Sequence, residues 1–278
     1  MIIIADSGSS KTDWRLITKD GLIEEVQTNG LNPHIISETD FIREIKNSGL
    51  LAWPVDSIKK IIFYGAGITG SKLQENIANW LKSLFEQAEV QANSDLLAAA
   101  RAIYGSDEGI IGILGTGSNS GYYNGSEIEQ SIPALGYMLG DEGSGNALGK
   151  HLIVSFLRNE LPGNHANEFK SFYPDYKNLL NNIYKSAQPA RLLASFVPFI
   201  HQHQEDQFFI ELLKEEFVKY FKMMRRYENI SKVGLVGSVA YYFSDILHQV
   251  AATEGIKLYK VMKSPIEALT LYHQAEIS

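Results

Sequence analysis

Apolar and polar positions along the chain fall into two rounds of the same alternation. Ile2 to Ala5 is a short apolar run, and Asp13 to Thr18 alternates around Trp14, Leu16 and Thr18, as a half-buried strand does. Asp20-Gly21 is a tight-turn pair, and Ile23 to Gln27 supplies a third strand after it. Phe41 to Leu51 spaces its apolar residues as a short helix, and Lys59 to Tyr64 reads as a buried strand. Leu73, Ile77, Trp80, Leu81 and Leu84 share one face of a further helix. Val90 to Ala92 is a short strand, and Ser94 is positioned to cap an alanine-rich helix reaching about Tyr104. Three strands followed by alternating helices and strands describe one layered α/β domain.

The pattern then restarts. Gly109 to Leu114 is a buried strand ending in Gly115-Thr116-Gly117-Ser118, and a hairpin is expected around Asn124-Gly125. A glycine-rich stretch from Gly136 to Gly149 leads into a helix ending near Leu157. Phe169 to Glu228 is mostly helical in pattern, with breaks expected near Pro174, Pro189 and Pro198. Lys232 to Val236 is a strand running into Gly237-Ser238 and a helix to about Thr253, followed by a strand at Lys257 to Lys260 and a helix at Pro265 to Ala275. The halves divide near Gly109 with no polar linker between them.

Composition narrows the chemistry. The chain has 278 residues and no cysteine, which removes disulfides, thiolate metal sites, cysteine-ligated clusters and thiol nucleophiles together. Its net charge of −7 argues against a nucleic-acid or anionic-membrane partner, whose phosphates attract basic faces. Met1 to Asp6 is too short and too acidic for a signal peptide, and no apolar run approaches a membrane span, so a cytoplasmic protein is expected. Asn124-Gly125-Ser126 and Asn229-Ile230-Ser231 match the glycosylation pattern only by chance on that reading.

Five segments carry candidate chemistry. Asp6-Ser7-Gly8-Ser9-Ser10-Lys11-Thr12 joins two strands. Its small residues let backbone N–H groups approach a phosphate, Lys11 adds positive charge, and Asp6 suits Mg²⁺. Gly115-Thr116-Gly117-Ser118-Asn119 is a second donor-lined turn, and Gly237-Ser238 sits where a strand meets a helix. The bland alternatives are a hairpin loop at the first two and tight strand–helix packing at Gly237. Asp95 opens a helix, where an acid is also favoured simply by the helix dipole. Gly136 to Gly145, containing Asp141 and Glu142, is read as a glycine-walled polar pocket rather than as rigid packing.

Other features are set aside. Gly65-Ala66-Gly67-Ile68-Thr69-Gly70 matches a dinucleotide fingerprint in form, but three strands precede it and Glu89 begins the next strand instead of closing it. Gly143 to Lys150 has the wrong spacing for a P-loop. His201 and His203 read as surface residues, and the aromatic run Phe217 to Met224 as core.

Taken in order, these segments resemble the N-acetylglucosamine kinase group of the BadF/BadG ATPase family, in the sugar-kinase branch of the actin and hexokinase superfamily. The most specific match is Leu139-Gly140-Asp141-Glu142-Gly143-Ser144, similar to the family's sugar-side segment, and Gly30-Leu31-Asn32-Pro33 resembles its other sugar loop. Ser264-Pro265-Ile266-Glu267-Ala268 resembles the start of a C-terminal helix returning to the first domain. The resemblance implies two ribonuclease H-like (actin-like ATPase) α/β domains with a cleft between them. Their expected bounds are 1–107 with 264–278, and 108–263 with a helical insertion. The family's cluster-bearing dehydratase activators need cysteines that this chain lacks.

The resemblance also implies ATP and Mg²⁺ as cofactors. Gly8, Ser9, Ser10, Lys11, Thr12, Gly115, Thr116, Gly117, Gly237 and Ser238 would bind the nucleotide, and Asp6 would serve the metal. Asn32, Asp95, Ser118, Asn119, Gly136 and Asp141 would bind sugar, with Asp95 as the base that accepts the proton of the 6-hydroxyl. N-acetylglucosamine is the first expected substrate. Glucosamine, another hexose, or a sensor that binds without turnover are the alternatives, and the oligomeric state is open, a homodimer included.

Overall fold

In a computed structural model, residues 1–228 and 232–277 are described; Asn229-Ile230-Ser231 lies outside them. The chain forms two compact units, one of residues 1–108, 123–128 and 264–278, the other of residues 109–122 and 129–263.

The first unit is built on β1 (Ile2–Ser7), β2 (Lys11–Thr18), β3 (Gly21–Asn29), α1 (Glu38–Asn47), β4 (Lys60–Gly65), α2 (Ser71–Lys82), β5 (Glu89–Ser94) and α3 (Asp95–Tyr104). The sheet order is β3-β2-β1-β4-β5, with β1, β4 and β5 parallel and β2 and β3 antiparallel to their neighbours. The apolar run of β1 is buried because helices cover the parallel strands, as such sheets require. Trp14, Phe41, Phe63, Ile77 and Leu81 are fully buried and belong to one core.

The bounds of β3 and α1 differ from the pattern. β3 extends to both sides of Ile23 to Gln27 because β2 pairs with it from Thr18 to Lys11. α1 starts at Glu38, since Ser37 caps it by accepting from the Asp40 amide, and it stops before Gly49, whose φ of 86° leaves the helical region. Ser94 does cap α3, accepting from the Leu97 amide at 3.2 Å.

The second unit contains β6 (Gly109–Leu114), β7 (Ser118–Tyr123), β8 (Ile128–Ser131), α4 (Gly136–Leu139), α5 (Gly145–Leu157), α6 (Gly163–Phe172), α7 (Leu179–Lys185), α8 (Pro189–Ala194), α9 (Val197–Gln202), α10 (Gln207–Met224), β9 (Val233–Val236), α11 (Ser238–Tyr242), α12 (Ser244–Thr253) and β10 (Leu258–Met262). Its sheet order, β8-β7-β6-β9-β10, repeats that of the first unit strand for strand. The β1–β2 and β6–β7 loops are therefore topological equivalents, and so are the ends of β4 and β9. The last helix, α13 (Ile266–Ile277), packs on α3, β1 and β2 in the first unit.

Helices α5 to α10 form the insertion, with a core rich in phenylalanine. Pro189 and Pro198 occupy the first turns of α8 and α9, so they start helices there, where a missing N–H costs nothing. Phe217, Tyr220, Phe221 and Met224 are fully buried on α10. The helix expected from Gly237 to Thr253 is interrupted at Phe243 into α11 and α12. No described helix is long and apolar enough to cross a membrane.

Candidate active site

In the first unit the candidate residues collect at the C-terminal ends of the parallel strands, where α/β sheets leave a crevice for ligands. The register rows Asp6, Tyr64, Asn93 and Ser7, Gly65, Ser94 run across β1, β4 and β5. Asp6 ends this edge on β1, and Asp95 begins α3 immediately after β5. Both carboxylates are half-buried. Burial first, then the negative charges of Asp95 and Asp13, push Asp6 up to about 7 against the pull of Lys11. Burial pushes Asp95 up to about 6, while hydrogen bonds from its own and the Leu96 amide hold it lower.

The β1–β2 loop is tightly braced. Ser7 Oγ and Thr12 Oγ1 are 2.8 Å apart and buried, Thr12 donates to the Asn29 carbonyl at 3.0 Å, and Ser7 accepts from the Leu31 amide at 3.0 Å. The Gly8 amide closes the turn on the Lys11 carbonyl at 2.9 Å. Thr12, expected among the nucleotide ligands, thus spends its hydroxyl inside the fold and is fully buried; the Gly8 amide is spent as well. Ser9 and Ser10 remain at the half-exposed crest of the turn, and Lys11 pairs with Asp13 at 2.8 Å.

Gly30 backs directly onto this loop: a Cβ there would stand 2.5 Å from the Gly8 and Ser9 carbonyl oxygens. Asn32 Oδ1 accepts from the His34 amide at 3.0 Å. A Cβ on Gly67 would come within 2.5 Å of that same oxygen, which explains the glycine in the fingerprint-like loop after β4. The loops holding Asp6, Asn32, Gly67 and Asp95 thus line one edge of one sheet.

In the second unit the Gly115-Thr116-Gly117 turn is closed by the Gly115 amide on the Gly117 carbonyl at 3.0 Å. Asp141, at a φ of 61°, accepts from the Ser118 amide at 3.2 Å and from Asn146 Nδ2 at 2.7 Å. Burial raises its pKa, and these two bonds restrain the rise. Asn146 also donates to the Thr116 carbonyl at 2.8 Å, and its buried Oδ1 has no partner. Asn146 is not among the residues expected from the sequence; its one signal is a polar side chain in the first turn of α5.

Asn119 Oδ1 accepts from the Ser120 amide at 2.9 Å, so its oxygen is engaged by the neighbouring backbone. Gly136, at a φ of 71°, opens α4 at an exposed position, where a Cβ would meet nothing within 4 Å.

Gly145 and Gly149 lie inside α5. A Cβ on Gly149 would meet the Leu193 carbonyl at 1.9 Å, so helix–helix packing demands it. Gly237, at a φ of 125°, is likewise required by packing, because a Cβ would stand 2.2 Å from the Leu114 carbonyl. Ser238 beside it is exposed. His203, read as a surface residue, is only 13% exposed in its side chain because it stacks on Phe209.

The fold is that of the actin-like ATPases. No protein-family profile matches the sequence, and no curated protein does. Among solved structures, a candidate N-acetylglucosamine kinase from Porphyromonas gingivalis matches with a TM-score of 0.95 and 34% identity, over 100% of both chains. The protein belongs to the family of that Porphyromonas protein. A candidate N-acetylglucosamine kinase from Chromobacterium violaceum shares the fold at a TM-score of 0.72 and 18% identity, with 98% of each chain covered. A ROK family glucokinase from Streptomyces griseus, solved with glucose and AMPPNP, does so at 0.60 and 14%, covering 100% of this chain and 98% of its own.

Proposed function

We propose that the protein is an ATP-dependent kinase of the 6-hydroxyl of an amino sugar, N-acetylglucosamine foremost. The observation that carries this reading is Asp95. A half-buried carboxylate with its pKa raised to about 6 opens a helix at the ligand-binding edge of the sheet that bears Asp6. Family membership supports it, since the Porphyromonas relative is described as a candidate N-acetylglucosamine kinase.

Phosphoryl transfer asks the protein mainly to position reactants and balance charge. Asp95 accepts the hydroxyl proton as the sugar oxygen attacks the terminal phosphorus and ADP departs, help typically worth ~10²–10⁴ in rate. In the first unit Ser9, Ser10 and Lys11 serve phosphate oxygens. In the second, Gly115, Thr116 and Gly117 offer a small-residue turn for the same purpose, with Ser238 beside the adenosine. Asn32, Ser118, Asn119 and Asp141 serve sugar hydroxyls, with Asp141 also bracing the turn.

Asp6 fits a hard divalent cation. Asp6, Asp13 and Asp95 gather negative charge against the single Lys11, and carboxylate oxygens are what Mg²⁺ prefers. When bound, Mg²⁺ neutralises charge building on the transferred phosphate. Asp6 would hold it directly or through water.

The test is ADP release from Mg-ATP over a panel of N-acetylglucosamine, glucosamine, N-acetylmannosamine and glucose. Turnover highest with N-acetylglucosamine supports the reading. Turnover only with glucose reassigns the substrate, and stoichiometric binding with no ADP from any sugar overturns the kinase in favour of a sensor.

A further inference from the structure

Away from the strand ends, two imidazoles and two carboxylates converge within the helical insertion. His165 and Glu168 stand one turn apart on α6, hence on one face. His203 follows the last residue of α9, and Asp206 occupies the N-cap position of α10. Glu168 Oε2 lies 3.5 Å from His165 Nδ1 and 3.2 Å from His203 Nε2. Both nitrogens are buried, and neither has a hydrogen-bond partner. The His165 side chain is only 8% exposed.

We propose that His165, Glu168 and His203 form a divalent metal site, with Zn²⁺ as its natural occupant. Tetrahedral zinc holds nitrogen and oxygen ligands at ~2.0–2.2 Å, which sets ligand-to-ligand edges of about 3.3–3.5 Å. The separations of 3.2 and 3.5 Å lie close to this spacing, and all three ligand atoms lie within 4.8 Å of one another. Two buried imidazole nitrogens without partners would otherwise be costly.

The surroundings also suit a metal. On the far side of the His165 ring, Nε2 lies 3.0 Å from Asp206 Oδ2 and 3.4 Å from Asn164 Nδ2. The nearer, charged oxygen favours a proton on Nε2, which leaves the Nδ1 lone pair facing Glu168. A carboxylate behind a ligating histidine orients it in this manner. Asp206 makes no side-chain cap to α10, and the same Oδ2 lies 3.9 Å from His203 Nδ1, so it faces both rings. The rings are held by packing: His165 and His203 meet edge to face at 4.7 Å, and both touch Phe209. Glu168 and Asp206 are about half exposed, at 50% and 52%, leaving a solvent side for a water as fourth ligand.

With imidazole and carboxylate and no thiolate, the donor set selects zinc, cobalt or nickel over Mg²⁺. Its role is structural. It would clip α6 to the α9–α10 turn, closing a loop between residues far apart in sequence, and would add stability by binding the folded state alone. None of these residues belongs to the strand-end loops, so the site stands whether or not the kinase reading does.

The test is metal binding by the chelator-stripped full-length protein, followed by calorimetry with Zn²⁺ and by visible spectroscopy with Co²⁺. Expected are one tight equivalent of Zn²⁺, the intense absorption of four-coordinate Co²⁺, and a higher unfolding temperature with metal. His203→Gln should weaken Zn²⁺ binding about 100-fold or more. Asp206→Asn, at a half-exposed position that tolerates change, should weaken it roughly 10–100-fold. No tight equivalent in the wild type, or an affinity unchanged in Asp206→Asn and His203→Gln alike, overturns the proposal. Should His203→Gln fail to fold, Asp206→Asn decides alone.

Discussion

Asp6 and Asp95 stand at the same edge of one sheet, on β1 and just beyond β5, with β4 between them. Two strand spacings of about 4.8 Å put their backbones roughly 10 Å apart. Burial first, then the charge of Asp95, raises Asp6 to about 7. The cost of charging falls mainly on Asp6, and its consequences can be measured.

Asp95 as base predicts an acid limb in the rate. Turnover should fall below about pH 6 as the carboxylate takes up a proton, and level off above it. Asp95→Asn should lose ~10²–10⁴ in kcat while sugar binding, followed by calorimetry, persists. A variant with near wild-type turnover removes Asp95 from the chemistry.

Asp6 predicts a stability cost that grows with pH. Its folded pKa of about 7 lies above the unfolded 3.8, so the folded state binds more protons between these values and loses stability as pH rises through them. Asp6→Asn should therefore be more stable than wild type at pH 8, by about 1–3 kcal/mol in urea unfolding, with the gain shrinking toward pH 4. The same variant should lose its response to Mg²⁺. An equal stability difference at both pH values contradicts the charge argument.

Gly237 predicts a packing failure. Gly237→Ala forces a Cβ to 2.2 Å from the Leu114 carbonyl at a φ of 125°, so it should cost about 3 kcal/mol or more. Gly70→Ala is the control: its φ of 83° also disfavours a side chain, yet nothing stands within 4 Å, so only the backbone term of about 1–3 kcal/mol remains. Equal losses in the two variants would mean that backbone conformation, not the Leu114 contact, selects glycine at 237.

Local periodicity carried much of the architecture. The apolar runs of β1, β4, β6 and β9, and the face of α2, are patterns over a few residues, and burial follows from them directly. The small-residue loops were visible for the same reason, since strand ends punctuated by glycine and serine need no distant partner to be noticed. Less legible was which groups in those loops remain available. Thr12 is consumed by Ser7 and Asn29, and Asn146 enters the second loop from the first turn of α5.

The amino-acid sequence by itself determined the two α/β rounds, the positions of Asp6 and Asp95 at element ends, and, through its lack of cysteine, the absence of thiol chemistry. Only the tertiary structure decided that the two sheets share one strand order, that Gly149 and Gly237 answer to carbonyls of other elements, and that His165 and His203 meet. Periodicity reports which face of an element is buried. The partner on that face is chosen by packing between segments distant in the chain, and no local pattern encodes it.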